Sequence, residues 1–201
     1  MISKLSNKIV TNWTKGSVIK KEHVSAYHYG CELFISDMIS NIIVLSAAAM
    51  MGKVIEMLLF LVVFTYIRVA CGGYHATSYK NCILIFTSST IAFFLGINWL
   101  MAEDLHQLLI VFAGISVLII FILAPVDHVN KPLTEEEKVA FRQKTIKRLF
   151  LIVLALGVSY LIFPILLDIL VYGCLAIIVI ALFLVIGLIE RNSSLRLSKQ
   201  L

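Results

Sequence analysis

The sequence predicts an all-α polytopic membrane protein with six transmembrane helices and with both termini in the cytoplasm. Of its 201 residues, 60% are hydrophobic and only 14% are charged, and the mean hydropathy is +0.98. Soluble domains carry about a quarter charged residues, so this composition is typical of membrane proteins. We expect one compact helical bundle, because the spans leave no room for a separate soluble domain.

The N-terminal segment, residues 1–32, is predicted to contain an amphipathic helix that lies in the membrane interface. Ile2, Leu5, Ile9 and Trp13 recur at helical spacing, and lysines lie among them. Such a helix would place its apolar face in the inner leaflet and its lysines near anionic lipid. The alternative is a disordered tail. We expect no cleavable signal peptide, because no continuous apolar stretch follows the first lysines.

Six segments are predicted as transmembrane helices, which need about 20 mainly apolar residues each. The predicted spans are residues 33–51, 54–69, 83–101, 105–124, 149–168 and 170–189. The first span carries Asp37 and the second has a short uncharged core, so re-entrant segments are the alternative for these two. The last two spans predict a tight helical hairpin, which is interrupted by Pro164, Asp168 and Gly173.

The basic residues predict the orientation of the chain in the cell membrane. With six spans and a cytoplasmic N-terminus, all but Lys53 of the 17 Lys and Arg residues face the cytoplasm. Cytoplasmic loops are enriched in Lys and Arg, so the opposite orientation is disfavoured. Residues 33–189 are therefore the predicted transmembrane domain, and residues 190–201 are a cytoplasmic tail. The region 68–85 and the loop 125–148 also face the cytoplasm.

The loop 125–148 is the longest polar stretch of the chain. Thr134 is a predicted helix N-cap, because three glutamates follow it directly and basic residues lie towards the end of the loop. This order of charges suits the dipole of a helix. We interpret most of these charges as the solvated face of a cytoplasmic helix.

The candidate catalytic residues are His75 and Cys82, which lie seven residues apart after the double glycine Gly72-Gly73. A cysteine is a nucleophile as the thiolate, and an imidazole can take its proton and later return it. On one continuous helix the two residues would be roughly 10 Å apart along the axis. Proton transfer needs about 3 Å. The pair therefore requires a bend in the chain, which the glycines permit, or a helix that begins near Ser78.

The alternative is that His75 and Cys82 have only a structural role. Free cysteines are common in membrane helices as small apolar residues, and an interfacial histidine often only hydrogen-bonds the backbone. Cys71 is a rival nucleophile, or a third metal ligand beside His75 and Cys82, although no fourth ligand for zinc is evident. Cys31 and Cys174 are interpreted as structural. The four cysteines show no CxxC spacing, so we expect neither a metal site nor a disulfide framework.

Four further polar residues are candidates for supporting roles. Arg68 ends the second span, where it would reach lipid headgroups, or bind a peptide carboxylate or the charge that develops at the attacked carbonyl. Asp127 or His128 could orient the histidine from the neighbouring cytoplasmic loop. Asp37 is the intramembrane charge that we expect to have a partner or a function.

The run Arg68-x3-Gly72-Gly73-x-His75-Ala76-x5-Cys82 resembles the accessory gene regulator B family of bacterial quorum-sensing peptide processors. The later dipeptides Ala124-Pro125 and Lys131-Pro132 are also similar to that family. Size, hydropathy and predicted topology agree with it across essentially the whole chain.

The resemblance implies a membrane-embedded cysteine endopeptidase that acts on a small precursor peptide and needs no cofactor. By this resemblance Cys82 is the nucleophile, His75 is the general base and acid, and Arg68 and Gly73 match positions important for the site. The nucleophile would attack the bond before the C-terminal tail of the precursor. An internal cysteine or serine of the peptide would then capture the resulting thioester and close a thiolactone or lactone ring.

The expected partners are this precursor, membrane lipids and a second copy of the chain. The resemblance implies a precursor with an amphipathic leader and an acidic tail, which the basic stretch 138–148 could attract. The net charge of +5 does not predict nucleic-acid binding, because lipid accounts for much of it. The alternative function is a non-enzymatic transporter or peptide-binding subunit in which Asp37 and Arg68 line a path.

Overall fold

A computed structural model describes residues 2–16, 18–74, 78–103, 105–127 and 133–198. Within these ranges the chain is all-helical, apart from one isolated bridge between two loop residues. The helices are α1 (Ile2–Lys15), α2 (Val24–Met50), α3 (Val54–Cys71), α4 (Tyr79–Ala102), α5 (His106–Leu123), α6 (Glu135–Ile162) and α7 (Leu167–Ser198). Short 3-10 helices at Lys21–His23 and Pro164–Leu166 precede α2 and α7.

Five of these helices, α2, α3, α4, α6 and α7, are long and apolar enough to cross a membrane. The apolar part of α5, Gln107–Leu123, is shorter. The chain is thus a multi-pass membrane protein with five long candidate spans in its described part. Six spans and the cytoplasmic position of the termini stay predictions.

The chain divides into two compact units. Unit 1 comprises Met1–Ala47 and Ala76–Ile91, and unit 2 comprises Ala48–His75 and Ala92–Leu201. Unit 1 therefore holds α1, most of α2 and the first half of α4. Unit 2 holds the second half of α4 with α3, α5, α6 and α7.

In unit 1, α1 packs on α2 around a small apolar core. Val10, Ile19 and Cys31 are buried together at its centre. The predicted N-terminal helix is therefore present, but the side chains that it buries include Ser6 and Val10. Leu5, which the sequence assigned to the apolar face, is 48% exposed and available to lipid. The position of α1 in the membrane interface stays a prediction.

In unit 2, α7 is the central helix and packs against α3 and α5. Most of its side chains between Val171 and Leu184 are buried, whereas Leu182, Ile186 and Ile189 are exposed. The ring of Phe183 on α7 meets Phe64 edge-on at 6.2 Å, and Phe60 meets Phe94 of α4 in the same way at 5.9 Å. These aromatic contacts fix α3 and the end of α4 in one core.

Helix α6 leaves most of its apolar surface uncovered by the protein. Thr145 and Leu149 are buried, whereas the apolar side chains of its second half are exposed. The exposed residues include Phe150, Leu151, Val153, Leu154, Val158, Leu161 and Ile162. An apolar surface of this extent requires a lipid environment, in agreement with a transmembrane position for this half of the helix.

The predicted N-cap at Thr134 is confirmed. Its Oγ1 accepts a hydrogen bond from the backbone N–H of Glu137 at 3.2 Å, and the Glu137 carboxylate accepts one from the Thr134 N–H at 2.9 Å. This reciprocal capping box satisfies two backbone donors at the start of α6. From that cap the helix continues without a break to Ile162, so the predicted loop helix and the fifth span are one helix.

Other boundaries also differ from the predicted spans; α4, for example, begins at Tyr79, four residues before the predicted third span. Helix α2 begins at Val24, nine residues before the predicted first span, because its polar first turns are helical too. The predicted interruption after the fifth span occurs at Phe163 and the 3-10 turn that begins with Pro164. Asp168 and Gly173 instead lie within α7. Hydropathy marks the lipid-facing part of a helix, whereas caps and prolines mark its ends.

Candidate active site

Helix α3 ends at Cys71 because the backbone turns into a left-handed conformation directly afterwards. Gly72 has φ +68° and Gly73 has φ +112°, values that glycine adopts readily and other residues rarely. The N–H of Gly72 still donates to the Arg68 carbonyl at 3.2 Å. The double glycine thus supplies the backbone freedom that the sequence predicted for it, whereas a bend between His75 and Cys82 stays a prediction.

The double glycine is bound to the loop that follows α5. The Val126 N–H donates to the Cys71 carbonyl at 3.0 Å, and the Gly73 N–H donates to the Val126 carbonyl at 3.0 Å. A Cβ on Gly72 would collide with that Val126 carbonyl oxygen. Gly72 thus meets two requirements at once, a positive φ and a close approach of two backbones.

The same segment is also bound to α7. The Tyr74 N–H donates to the Phe183 carbonyl at 3.0 Å. A Cβ on Gly187, one turn further along α7, would meet the Tyr74 nitrogen and would lie 2.7 Å from the Gly73 carbonyl carbon. The sequence analysis missed Gly187, because a glycine inside an apolar helix carries no local signal of what approaches it.

Arg68 turns back towards the segment that follows its own helix. Its Nη2 donates to the Tyr74 carbonyl oxygen, and its Nη1 would lie only 2.8 Å from a Cβ on Gly73. The guanidinium therefore braces the double-glycine turn, a role that the sequence did not suggest. Binding of a peptide carboxylate or of a developing negative charge by Arg68 stays a prediction.

Asp127 connects the loop after α5 to the end of α7. Its Oδ1 lies 2.9 Å from Nη1 of Arg191, and its Oδ2 accepts a bond from the Leu133 N–H at 3.4 Å. The carboxylate is almost fully buried, whereas one third of the Arg191 side chain is exposed. These are the partners that the structure gives Asp127; its predicted role in orienting His75 stays a prediction. His75 and His128 lie outside the described residues.

Cys82 occupies the first turn of α4, which begins at Tyr79. The Ser78 Oγ accepts a hydrogen bond from the Asn81 N–H at 3.2 Å, and the Ser78 carbonyl accepts one from the Cys82 N–H at 2.9 Å. A helix start near Ser78, one of the two arrangements that the His75–Cys82 pair would require, is therefore present. A thiol in the first turn lies at the positive end of the helix dipole, which favours a negatively charged side chain.

Two of the other cysteines, Cys31 and Cys71, are buried, whereas Cys174 is half-buried like Cys82. Cys71 is fully buried, and its Sγ lies against the Gly72 carbonyl at 3.5 Å, so the structure does not favour it as a rival nucleophile. Cys31 belongs to the core between α1 and α2, and Cys174 is half-buried in α7. Among the described residues, no three His, Cys, Asp or Glu side chains are grouped as metal ligands.

Asp37 lies on α2 with an exposed side chain. Its function as an intramembrane charge stays a prediction.

A buried polar cluster beside the first turn of α4 was missed by the sequence analysis. Glu32 on α2 is only 8% exposed, and its Oε2 accepts a hydrogen bond from the Tyr79 hydroxyl at 2.9 Å. The Nδ1 of His28 lies 3.7 Å from the same oxygen. A helix that starts before residue 28 would have placed His28 and Glu32 on one face, but the predicted span began at residue 33.

The chain was compared with known protein families and proteins. The family model described as Accessory gene regulator B matches residues 2–189. The AgrB-like protein 2 of Clostridium perfringens strain 13 is 30% identical over 145 residues, which cover 69% of this chain and 67% of the relative. An AgrB-like protein of Clostridium perfringens strain SM101 has the same identity and coverage. No solved structure matches the chain.

Proposed function

We propose that this chain, which belongs to the accessory gene regulator B family, is a membrane-embedded cysteine endopeptidase that cleaves a precursor peptide. The match of the family model to residues 2–189 confirms the resemblance that the sequence motif indicated. Membership of this family and the apolar helices together indicate a multi-pass membrane protein that takes part in quorum-sensing peptide processing. The cysteine chemistry, the site residues and the cyclised product are our proposal.

One observation carries the chemical part of the proposal. Helix α3 ends at Cys71 and α4 begins at Tyr79, so no single continuous helix runs from the end of α3 to Cys82. That single-helix arrangement would have kept the His75 and Cys82 side chains roughly 10 Å apart along the axis. Cys82 instead lies in the first turn of α4, and its side chain is half-buried. The dipole of that helix favours a thiolate at this position.

In the first step, the Cys82 sulfur attacks the carbonyl carbon of the peptide bond that precedes the C-terminal tail of the precursor. His75 takes the thiol proton and delivers it to the nitrogen of the leaving amine as the C–N bond breaks. The tail departs with a new amino terminus. The rest of the peptide stays on the enzyme as a thioester.

In the second step, a thiol or hydroxyl inside the bound peptide attacks the thioester carbonyl. His75 takes the proton of that nucleophile and returns it to the Cys82 sulfur as the enzyme thioester breaks. A cyclic thiolactone or lactone is released. Water must be kept from the thioester during this step, and a site at the membrane interface suits that need.

The energetics indicate what drives turnover. Exchange of one thioester for another is nearly balanced, whereas conversion of a peptide bond into a thioester is uphill. Removal of the tail or of the cyclic product must therefore pull the reaction forward. Lys144 and Lys147, both exposed in the first half of α6, are the groups that we propose to attract an acidic tail.

Cleavage by the purified protein in lipid nanodiscs tests the proposal. With a synthetic precursor as substrate, Cys82→Ala should abolish cleavage, because no other group replaces the attacking sulfur. Cys174→Ala, the matched control, should cleave at the wild-type rate. Mass spectrometry of the wild-type enzyme should show the peptide, without its tail, attached to Cys82. Full cleavage by Cys82→Ala would exclude Cys82 as the nucleophile, whereas absence of cleavage by the wild type would favour a transporter or a peptide-binding subunit.

The role of His75 is tested in the same preparation without substrate. Alkylation of each cysteine is followed against pH in the wild type and in His75→Ala. Cys82 should react at neutral pH in the wild type and should need a more alkaline pH in the variant, since the proton acceptor is gone. An alkylation profile of Cys82 that is indifferent to His75 would remove the histidine from the mechanism.

A further inference from the structure

The cluster of Glu32, Tyr79 and His28 contains a buried carboxylate, which is costly for the folded protein unless it has polar partners. A carboxylate with only 8% of its residue exposed loses most of its hydration. An apolar residue of similar volume at such a position is often as stable or more stable than a buried charged group. The cluster is therefore better explained by the orientation that it specifies than by the stability that it adds.

The orientation that it specifies is that of the first turn of α4. Tyr79 is the first residue of this helix and Cys82 is the fourth, so their side chains project from the same face. Terminal turns of helices fray when only local bonds hold them. The hydrogen bond from the Tyr79 hydroxyl to Glu32 links the terminal turn that carries the thiol to α2, a helix 47 residues away in sequence.

The α2 side of this link is itself held in place. Ser6 of α1 is fully buried, and its Oγ donates to the backbone carbonyl of His28 at 3.0 Å. His28 lies one helical turn before Glu32, with Nδ1 at 3.7 Å from the carboxylate. Hydrogen bonds and packing thus connect α1, α2 and the first turn of α4 within unit 1.

We propose that Glu32 and Tyr79 are positioning residues for the reaction at Cys82: their hydrogen bond holds the first turn of α4 on α2 and thereby orients the thiol. The inference rests on the proposed function, to which it adds two residues. Neither residue needs to touch the substrate. Both act through the helix turn that carries the nucleophile.

The test uses four variants of the full-length protein in nanodiscs, three that remove the hydrogen bond and one, Glu32→Gln, that keeps an acceptor. Tyr79→Phe leaves the Glu32 carboxylate buried without its hydroxyl partner, and Glu32→Leu leaves the hydroxyl without its acceptor. The double variant replaces both partners by apolar groups of similar shape, which leaves neither polar group unpaired and can be nearly neutral for stability. Matched controls are Tyr160→Phe and Glu22→Gln, which make the same types of change at exposed positions.

Three quantities are measured: the thermal midpoint, kcat and KM for the precursor, and the alkylation rate of Cys82 without substrate at neutral pH. Tyr79→Phe and Glu32→Leu should each lower the thermal midpoint, lower kcat about tenfold with KM within twofold, and slow alkylation of Cys82 about threefold. The double variant should regain the midpoint but neither kcat nor the alkylation rate. Glu32→Gln keeps an acceptor for the tyrosine and should hold kcat within threefold of the wild type.

A double variant that regains both the midpoint and kcat would overturn the proposal, because the cluster would then be only structural. Wild-type kcat and alkylation in Tyr79→Phe would also overturn it, and this mild change keeps the test decisive if Glu32→Leu does not fold. The alkylation rate distinguishes the two proposals. Absence of cleavage by the wild type would exclude the peptidase while the alkylation rate still reports the orientation of the thiol, whereas unchanged alkylation in the Tyr79 and Glu32 variants would exclude the positioning role alone.

Discussion

At the scale of single residues, two glycines allow three backbone segments of unit 2 to meet. Gly72 lets the end of α3 approach Val126, and Gly187 lets α7 approach the residues that follow the double glycine. The two positions differ in what sequence reasoning can find. Gly72 stands in a Gly-Gly pair at the end of an apolar segment, a recognised sign of a turn. Gly187 lies inside an apolar helix, where nothing local sets it apart.

Gly72→Ala should lower the stability of the protein by about 2 kcal/mol or more, since alanine is strained at a positive φ and its Cβ would collide with the Val126 carbonyl. The measurement is thermal unfolding in detergent or nanodiscs. Gly114→Ala on α5 is the matched control. A Cβ there meets nothing, and the change should be neutral or stabilising by up to about 1 kcal/mol. Equal midpoints for the two variants would contradict the tight turn.

At the scale of elements, the helix ends around the candidate site follow from short-range chemistry. The double glycine ends α3, Ser78 caps α4, and Thr134 with Glu137 caps α6. Of these three features, the sequence predicted the Thr134 cap outright, whereas it predicted only flexibility at the double glycine and gave a helix start near Ser78 as one alternative. It did not predict the pair of Asp127 and Arg191, which lies between two elements that are distant in sequence.

The ion pair of Asp127 and Arg191 should stabilise the loop after α5, which is hydrogen-bonded through Val126 to the double-glycine segment. Asp127→Ala and Arg191→Ala should each destabilise the protein, and a double-mutant cycle should give a coupling of about 1–2 kcal/mol, a value reduced by the exposure of Arg191. The measurement is unfolding of the two single variants and the double variant. The exposed pair Lys138–Glu135 is the control and should show little coupling. Strictly additive effects at Asp127 and Arg191 would show that the ion pair contributes nothing.

At the scale of the whole molecule, the distribution of exposed apolar side chains indicates a bilayer environment. Five helices can span a membrane, and the second half of α6 presents a continuous apolar surface. The fourth predicted span corresponds to α5, whose apolar part, Gln107–Leu123, is shorter than the five candidate spans. If α5 crosses the membrane, the loops before and after it lie on opposite faces of the membrane.

Glu103 and Glu136 offer a matched test of that crossing. Both are exposed, and they lie before and after α5. In a cysteine-free background, a cysteine introduced by Glu103→Cys should react with a membrane-impermeant maleimide on intact cells. The one introduced by Glu136→Cys should react only after permeabilisation. Labelling of both on intact cells, or of neither, would show that α5 does not cross the membrane.

Local patterns in the sequence predicted the membrane class, most of the helices, flexibility at the double glycine and the cap of α6. These features depend on side chains that are near each other along the chain: apolar runs, glycines with positive φ and hydroxyl caps. The sequence also indicated the family, because the spacing of Arg68, the double glycine, His75 and Cys82 is itself a local pattern.

Only the tertiary structure decided which distant groups meet. It brought Val126 and Gly187 to the double glycine, Arg191 to Asp127, and Glu32 to the Tyr79 hydroxyl across 47 residues. No local periodicity encodes these contacts, because each partner fits its own helix or loop equally well without the other. They arise when packed helices bring particular backbone and polar groups together, and burial then makes each pairing a requirement.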